Sequence, residues 1–466
     1  MKIHFLGAAQ TVTGSRHLVT TDSGFNILLD CGLYQSRGSE TDALNRHLGF
    51  DPISIDCVIL SHAHIDHSGD LPNLVKQGYK RKIYATPATI DLCSIMLADS
   101  AKIQESDVAF VNKHREKEGR ELIKPLYDHE DVAKCMQLME PVEYHQWIHL
   151  SKEISFMFTD AGHILGSACI HIRYSENGHT KQITYTGDIG RKEDLLLKNP
   201  EPFPQSDYII CESTYGNRLH SKLSESEQEL LQIVSETCIE KKGKLLIPAF
   251  SLGRTQELVY TLDRLKNAGK IPEIKVFVDS PLSTNATEIM RKYASCLNEA
   301  VHEHMKSDDD PFGFNQLKYI TSTEESMALN DMEGPCIIIS ASGMLEAGRI
   351  KHHLRKHIGN PNNTLLMVGY CAPGTLGDRL LRGDSKVKIF GKMFDVKIQI
   401  VQMNSYSAHA DYEEIIDFLN CQDKRLLKEI FLVHGEKDSQ TFFRHKLLAS
   451  GFEKVYIPTS HEHIRL

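Results

Sequence analysis

An α/β protein, one larger domain interrupted by a smaller one, is predicted from three observations. Short apolar runs within residues 1–210 stop abruptly in loops rich in His, Asp and Gly, as strand ends do. From about residue 214 strand-length and helix-length patterns alternate, the rhythm of a parallel sheet with crossover helices. After residue 397 the earlier rhythm returns and supplies one more loop of the first kind. The expected organisation is therefore a four-layer α/β domain over 1–213 and 397–466, with a smaller α/β domain inserted at 214–396. At 466 residues the chain is too long for one ordinary core.

Each element has its own warrant. Residues 2–6 and 26–29 are strand-length apolar runs, the second stopping at Asp30-Cys31-Gly32. Residues 55–61 form another, followed at once by His62-Ala63-His64-Ile65-Asp66-His67. Residues 87–139 are charged, as in Lys113-His114-Arg115-Glu116-Lys117-Glu118, and predict surface helices. Strand character returns at 154–159, 169–174, 182–186 and 208–211. The insert reads as a helix at 225–242, a strand at 244–250, a helix at 252–266, a strand at 274–278, a helix at 284–301 and a strand at 336–340. Residues 397–403, 412–419, 429–433 and 439–449 continue the strand-and-helix pattern of the first domain.

Composition narrows the class. A hydrophobic share of 41% and a charged share of 25% are those of a soluble globular protein. No apolar run reaches membrane-spanning length, and the first residues lead into a strand rather than a signal segment. The 11 Cys contain no C-x-x-C pair, and Cys57, Cys169, Cys211 and Cys336 sit inside apolar strands, so reduced thiols and a cytoplasmic location are expected. A net charge of −9 argues against a protein that coats nucleic acid, yet leaves room for a local basic channel. The stretch Lys386-Val387-Lys388-Ile389-Phe390-Gly391-Lys392, continuing to Lys397, is one candidate; its alternation fits the solvent face of a strand equally well.

His62-x-His64-x-Asp66-His67 is the sharpest chemical signal. Four ligand groups within six residues cannot all reach one ion from a strand-end loop, and imidazoles with a carboxylate suit zinc, so a two-metal site is expected. Further ligands must converge from other strand ends. Asp160-Ala161-Gly162-His163, Thr186-Gly187-Asp188 and Leu432-Val433-His434-Gly435 all follow apolar runs. Taken singly, each reads as readily as a turn or a local hydrogen bond. Their shared placement favours the ligand reading.

The order Asp30, His62/His64/Asp66/His67, His163 and Asp188 resembles the metallo-β-lactamase fold superfamily over residues 1–210. Glu212 in Cys-Glu-Ser-Thr-Tyr-Gly, His409 in Ser-Ala-His-Ala-Asp and His434 in Val-His-Gly-Glu resemble its β-CASP nuclease branch. The likeness is to bacterial and archaeal relatives of the cleavage-and-polyadenylation endonuclease. It implies an αββα metallo-β-lactamase sandwich with an inserted α/β β-CASP domain containing a parallel sheet. At this length neither the KH domains of some archaeal members nor the C-terminal domain of the ribonuclease J type is expected.

The resemblance also implies a site. Two Zn2+ would bind per chain, with manganese as the alternative: one on His62, His64 and His163, the other on Asp66, His67 and His434, with Asp188 bridging. A metal-activated hydroxide would attack an RNA phosphodiester in a cleft between the two domains. His409 would protonate the leaving oxygen, with Glu212 hydrogen-bonded to it. Asp30 would orient a ligand imidazole through its second nitrogen, although an Asp at a strand-end turn is an equal reading. Small-residue loops would meet phosphate, with Ser340, Ser342 and Gly343 in Ile339-Ser340-Ala341-Ser342-Gly343-Met344, and Arg254 in Ser251-Leu252-Gly253-Arg254, as the candidates. Gly374-Thr375-Leu376-Gly377 is a further flexible loop. Tyr215 and Tyr406 flank the motifs as base-stacking candidates, with core packing the plainer role. RNA is the implied partner and no membrane is involved. Members of the resembled family often dimerise, which makes a homodimer one possible assembly, but no segment here identifies an interface. Endonucleolytic and 5′-exonucleolytic action share this site.

Two other readings use parts of the same pattern. A hydrolase of a small ester, thioester or lactone would share the first cluster but needs neither the insert nor His409. A non-catalytic RNA-binding subunit would be expected to have lost ligands, and here every ligand position is filled.

Overall fold

Short apolar runs of strand length build the larger unit in the computed structural model, which describes every residue except 36–38, 177, 221–222, 370, 373 and 404–407. One sheet runs in the order Glu462–Arg465, Lys2–Phe5, His17–Thr20, Asn26–Leu29, Cys57–Ile59, Ile83–Ala85, Met139–Pro141, antiparallel through Asn26–Leu29 and parallel beyond. A second runs Val455–Tyr456, Glu429–Val433, Tyr208–Glu212, His179–Tyr185, Ala168–Glu176, Ile154–Asp160, Ile148–His149. Its first four strands are parallel and the rest antiparallel.

The sheets share one core. Ile3, Phe5, Ile27, Leu29, Cys57 and Ile59 from the first meet Phe156, Phe158, Ile170, Ile172, Ile183, Tyr185, Phe431 and Val433 from the second. Residues of opposite parity in the second sheet, among them Cys169, Ile209, Cys211, Ile430 and Leu432, face the helices Tyr412–Leu419 and Lys437–Ala449 through Ile415, Leu419, Phe443 and Leu447. Both faces of the central parallel strands are thus buried, which explains their near-continuous apolar sequences. The helices Leu71–Lys76, Pro87–Lys117 and His129–Met136 form the other outer layer, burying Leu71, Leu74, Leu92, Leu97 and Val132. This is the αββα sandwich.

The smaller unit spans 220–408 and the larger one 1–219 and 409–466. A fully parallel six-stranded sheet organises it, in the order Leu317–Tyr319, Lys275–Val278, Cys336–Ser340, Lys244–Pro248, Thr364–Met367, Gln399–Gln402. Helices Arg254–Asn267, Pro281–Lys292 and Ile350–His357 are among its crossovers. A separate hairpin, Lys386–Ile389 with Lys392–Asp395, packs Val387 and Ile389 into this unit's core.

Several expectations need correction. The return to the first domain was expected at 397, but Gln399–Gln402 pairs in parallel with Thr364–Met367 and so belongs to the insert, moving the junction to 408/409. The first junction falls at 219/220 rather than 213/214. The helix expected over 284–301 is two helices, Pro281–Lys292 and Glu299–His304, because Asn298 caps the second by accepting from the Val301 amide. Residues 87–139 are not simply superficial: Leu92, Cys93, Leu97 and Ala101 on the long helix are fully buried. Among the described residues no helix is long and apolar enough to cross a membrane.

Phe431 is fully buried between the sheets, its ring centroid 5.5 Å from that of Phe5. Phe431→Ala should cost about 3–5 kcal/mol, read as a lowered urea midpoint for the larger unit.

Candidate dinuclear metal centre

Strand ends in the larger unit bring the polar residues together. Cys57–Ile59 leads into His62, and His64 is the N-cap of the one-turn helix Ile65–Ser68 that carries Asp66 and His67. His163 follows Ile154–Asp160, Asp188 follows His179–Tyr185, and His434 follows Glu429–Val433. Sharp turns are required at these exits. Gly187 (φ 56°) lies so close to Ser61 that an added Cβ would sit 2.8 Å from the serine Cβ. Gly32 abuts the backbone of Asp66, where a Cβ would fall 1.6 Å from the carbonyl oxygen. His434 itself has φ 49°, held by its amide donating to the Ala8 carbonyl at 2.7 Å. Such a left-handed imidazole-bearing residue is uncommon and persists only where its surroundings over-determine it.

The seven expected ligands fall into two clusters, His62, His64, His163 and Asp188 in one, Asp66, His67 and His434 in the other, with donor atoms of each cluster within 4.8 Å of one another. His64 Nδ1 lies 3.2 Å from both His62 Nε2 and His163 Nε2. In the second cluster His67 Nε2 is 3.2 Å from His434 Nε2, which is 3.4 Å from Asp66 Oδ2. Asp188 stands between them: Oδ2 is 3.5 Å from His62 Nε2 and from His163 Nε2, while Oδ1 is 3.3 Å from His67 Nε2 and 3.4 Å from His434 Nδ1.

These separations fit a pair of divalent ions. Tetrahedral bonds of 2.0–2.1 Å put neighbouring ligand atoms about 3.3 Å apart, which is the spacing found. Asp188 Oδ1 is buried without a hydrogen-bond donor, as a carboxylate oxygen reserved for a cation would be. Burial, reinforced by neighbouring His67, keeps the His62 imidazole well below its usual pKa, and burial pushes His64 down to about 4. Both are therefore neutral, the state in which imidazole binds metal. Burial favours the protonated acid at Asp188, but His434, His67 and His62 hold it well below the usual carboxylate range.

Around the clusters lies an orienting layer that the sequence reading found only in part. Asp30, read as an orienting residue, accepts from His67 Nδ1 at 2.7 Å. The same carboxylate accepts from the Ser61 amide and hydroxyl and from the Tyr185 hydroxyl, each at 2.7 Å. Ser61 Oγ in turn lies 3.0 Å from His62 Nδ1, and Thr214 Oγ1 lies 2.9 Å from His434 Nδ1 while donating to the His434 carbonyl. The second nitrogens of His62, His67 and His434 are thereby engaged, leaving Nε2 of each for a cation. Ser61, Tyr185 and Thr214 were not foreseen. Their one sequence signal is position: Ser61 abuts His62, Tyr185 ends the strand before Asp188, and Thr214 sits two residues after Glu212.

His409 stands beside both clusters, its ring centroid 4.6 Å from that of His163 and 6.2 Å from that of His434. Its Nδ1 is 3.3 Å from Glu212 Oε1 and 3.8 Å from Asp188 Oδ2. Glu212 is fixed by the Ile189 amide at 2.5 Å and the Thr214 amide at 3.3 Å. Burial alone would lower the His409 pKa, but the Glu212 carboxylate, with Asp188 and Asp66, raises it to about 9. The Tyr215 ring meets His409 edge-on at 5.7 Å, a packing contact. Tyr406 lies outside the described residues.

The expected phosphate-binding residues of the insert are placed differently from the metal-site residues. Ser340 is buried and donates to the Asp279 carbonyl at 2.7 Å. Arg254 is buried against Glu257 on the same helix. Gly343 packs against the Phe250 ring, and Ser342, partly exposed, bonds to Ala347. Thr375, in the other flexible loop, caps the helix Leu376–Leu381.

A two-sheet sandwich with clustered His and Asp at its strand ends defines a metallo-hydrolase of the metallo-β-lactamase class. Family comparison agrees: residues 18–208 match the metallo-beta-lactamase superfamily domain, 255–380 the Beta-Casp domain, and 393–458 the Zn-dependent metallo-hydrolase RNA specificity domain. The chain is 34% identical over 451 residues to a ribonuclease of Thermus thermophilus, covering 97% of this chain and 95% of that one. It is 31% identical to an RNase J-like protein of Methanocaldococcus jannaschii (93% and 92% covered) and 30% identical to Integrator complex subunit 11 of Danio rerio (99% and 73%). The chain belongs to the β-CASP family of metallo-β-lactamase-fold proteins, whose superfamily implies a divalent metal.

Two substitutions probe the centre. Asp188→Ala should lower bound metal below one ion per chain, whereas Thr214→Val should keep the stoichiometry and weaken chelator-competed affinity about 10–100-fold at the second cluster. Elemental analysis and chelator titration read the two outcomes.

Proposed function

We propose that this protein is a zinc-dependent ribonuclease that hydrolyses RNA phosphodiester bonds at the two-cluster centre. The observation that carries the reading is Asp188 with one carboxylate oxygen toward each cluster, in a chain that also matches the RNA specificity segment. Relatives named as ribonucleases support RNA as the substrate. A small-ester or lactone hydrolase leaves the Beta-Casp and RNA specificity segments without a role. Zinc is favoured over manganese by five imidazole donors. Eleven free cysteines fit a reducing compartment such as the cytoplasm.

His62, His64 and His163 would hold one ion and Asp66, His67 and His434 the other, with Asp188 shared. Bound there, two divalent ions supply Lewis acidity to the phosphate and lower the pKa of a water. The chain's own residues complete the chemistry. Asp30 and Thr214 keep the His67 and His434 rings in one tautomer and one orientation. His409, protonated at neutral pH, offers its Nε2–H to the leaving oxygen, while its Nδ1–H donates to Glu212, whose carboxylate stabilises the cation. After transfer the neutral ring is re-protonated from solvent, to which it remains partly exposed.

The sign of the pH dependence follows. An acid raised to about 9 is competent below that pH and lost above it. Activity should fall along an alkaline limb, and Glu212→Gln should move that limb toward lower pH by about one unit or more. His409→Ala should reduce kcat about 10²–10⁴-fold with metal content intact. RNA labelled separately at each end, run on a sequencing gel, tests the whole reading: internal fragments mean endonuclease, mononucleotides from one end mean exonuclease. No cleavage by the zinc-loaded protein would overturn it.

A further inference from the structure

The basic hairpin of the insert has a tip that the metal centre does not explain. Strands Lys386–Ile389 and Lys392–Asp395 are joined by Phe390 and Gly391, with φ of 46° and 81°. Two positive φ angles make a tight hairpin turn in which the first position favours Asn or Asp and disfavours a bulky ring. Phe390 nevertheless occupies it and is 47% exposed, so burial does not compensate for the conformation. Residues held in such sparsely populated conformations cluster at contact sites.

The ring's surroundings are cationic. Lys351 Nζ and Arg355 Cζ, from the helix Ile350–His357, lie 5.2 and 5.5 Å from its centroid, and His352 packs at 4.5 Å. Lys386 on the hairpin is paired with Asp395. Among the described residues Lys351, Arg355 and Lys388 have no carboxylate partner. In a chain of net charge −9, two cations beside a half-exposed aromatic ring, with Lys388 exposed on the adjoining strand, make a locally basic surface.

We propose that this hairpin tip and the adjoining helix face form a docking site for single-stranded RNA within the insert. One base stacks on the exposed part of the Phe390 ring, and backbone phosphates meet Lys351, Arg355 and Lys388. The ring decides the occupant: an acidic polypeptide would use the cations alone, whereas a nucleic acid strand uses both. The proposal rests on the ribonuclease reading for the presence of an RNA strand.

The test compares the zinc-loaded parent with Phe390→Ala and with Arg355→Glu/Lys388→Glu, all at surface positions. Anisotropy with a phosphorothioate, 2′-O-methyl single strand reads binding, and hydrolysis of bis(p-nitrophenyl) phosphate reads the metal centre independently. Loss of the ring should weaken binding about tenfold. The charge reversals should flatten the salt dependence by about 0.7 for each phosphate no longer neutralised, with phosphodiester hydrolysis unchanged. Unaltered affinity and salt slope in both variants would overturn the docking site while leaving the ribonuclease reading intact. Equal displacement by polyglutamate would overturn it in favour of an acidic protein partner. A parent that neither binds nor cleaves RNA would remove both readings together.

Discussion

A single buried carboxylate ties the larger unit together. Asp30 leaves the first sheet with a left-handed backbone (φ 57°) and accepts four hydrogen bonds: from the amide and hydroxyl of Ser61, from His67 and from Tyr185. Tyr185 belongs to the second sheet, so the bond set crosses the core and fixes one sheet's strand ends against the other's. Because Ser61 also engages His62, Asp30 reaches a residue of each His/Asp cluster, one directly and one through a hydroxyl. A buried anion is tolerable only when its lone pairs are filled, and here the groups that fill them are those the site must orient.

Crowding five imidazoles against two carboxylates would be unfavourable in an apolar core without a cation. Apolar packing on both sides supplies the rigidity: Ile59, Ile170 and Val433 in the central core, Cys169, Ile209 and Leu432 beneath the outer helices. Beneath the loop, Arg16 donates to Asp70 and to the Gly32 carbonyl, both at 2.8 Å, in a fully buried ion pair. Breaking one member of such a pair leaves an uncompensated charge, so the loop carrying Asp66 and His67 is held from below as well as by Asp30.

Legibility followed chemistry more than geometry. The convergence of His62, His64, Asp66, His67, His163, Asp188 and His434 was legible because rare side chains recur at the ends of apolar runs. Ser61, Tyr185 and Thr214 were not, since a hydroxyl beside a strand end has no distinctive spacing. Gln399–Gln402 was assigned to the wrong domain because a parallel strand's partner, here Thr364–Met367, leaves no local trace. The lysine stretch at 386–392 illustrates the opposite case: its alternation marked a solvent-facing strand correctly, yet gave no hint of the turn at Phe390. Ser340 and Arg254 were chosen for residue type, and type does not reveal the partners each has within its own unit, Asp279 and Glu257.

The insertion has a consequence for biosynthesis. Four of the clustered residues have emerged by His67, but His434 is made only after the whole of 220–408. The strand Glu429–Val433 that carries it must then slot beside Tyr208–Glu212, a pairing across more than two hundred residues. While 220–408 is being made, the growing polypeptide therefore already carries six of the seven clustered residues and still lacks His409 and His434. Vectorial synthesis thus makes all of the first cluster long before the last member of the second.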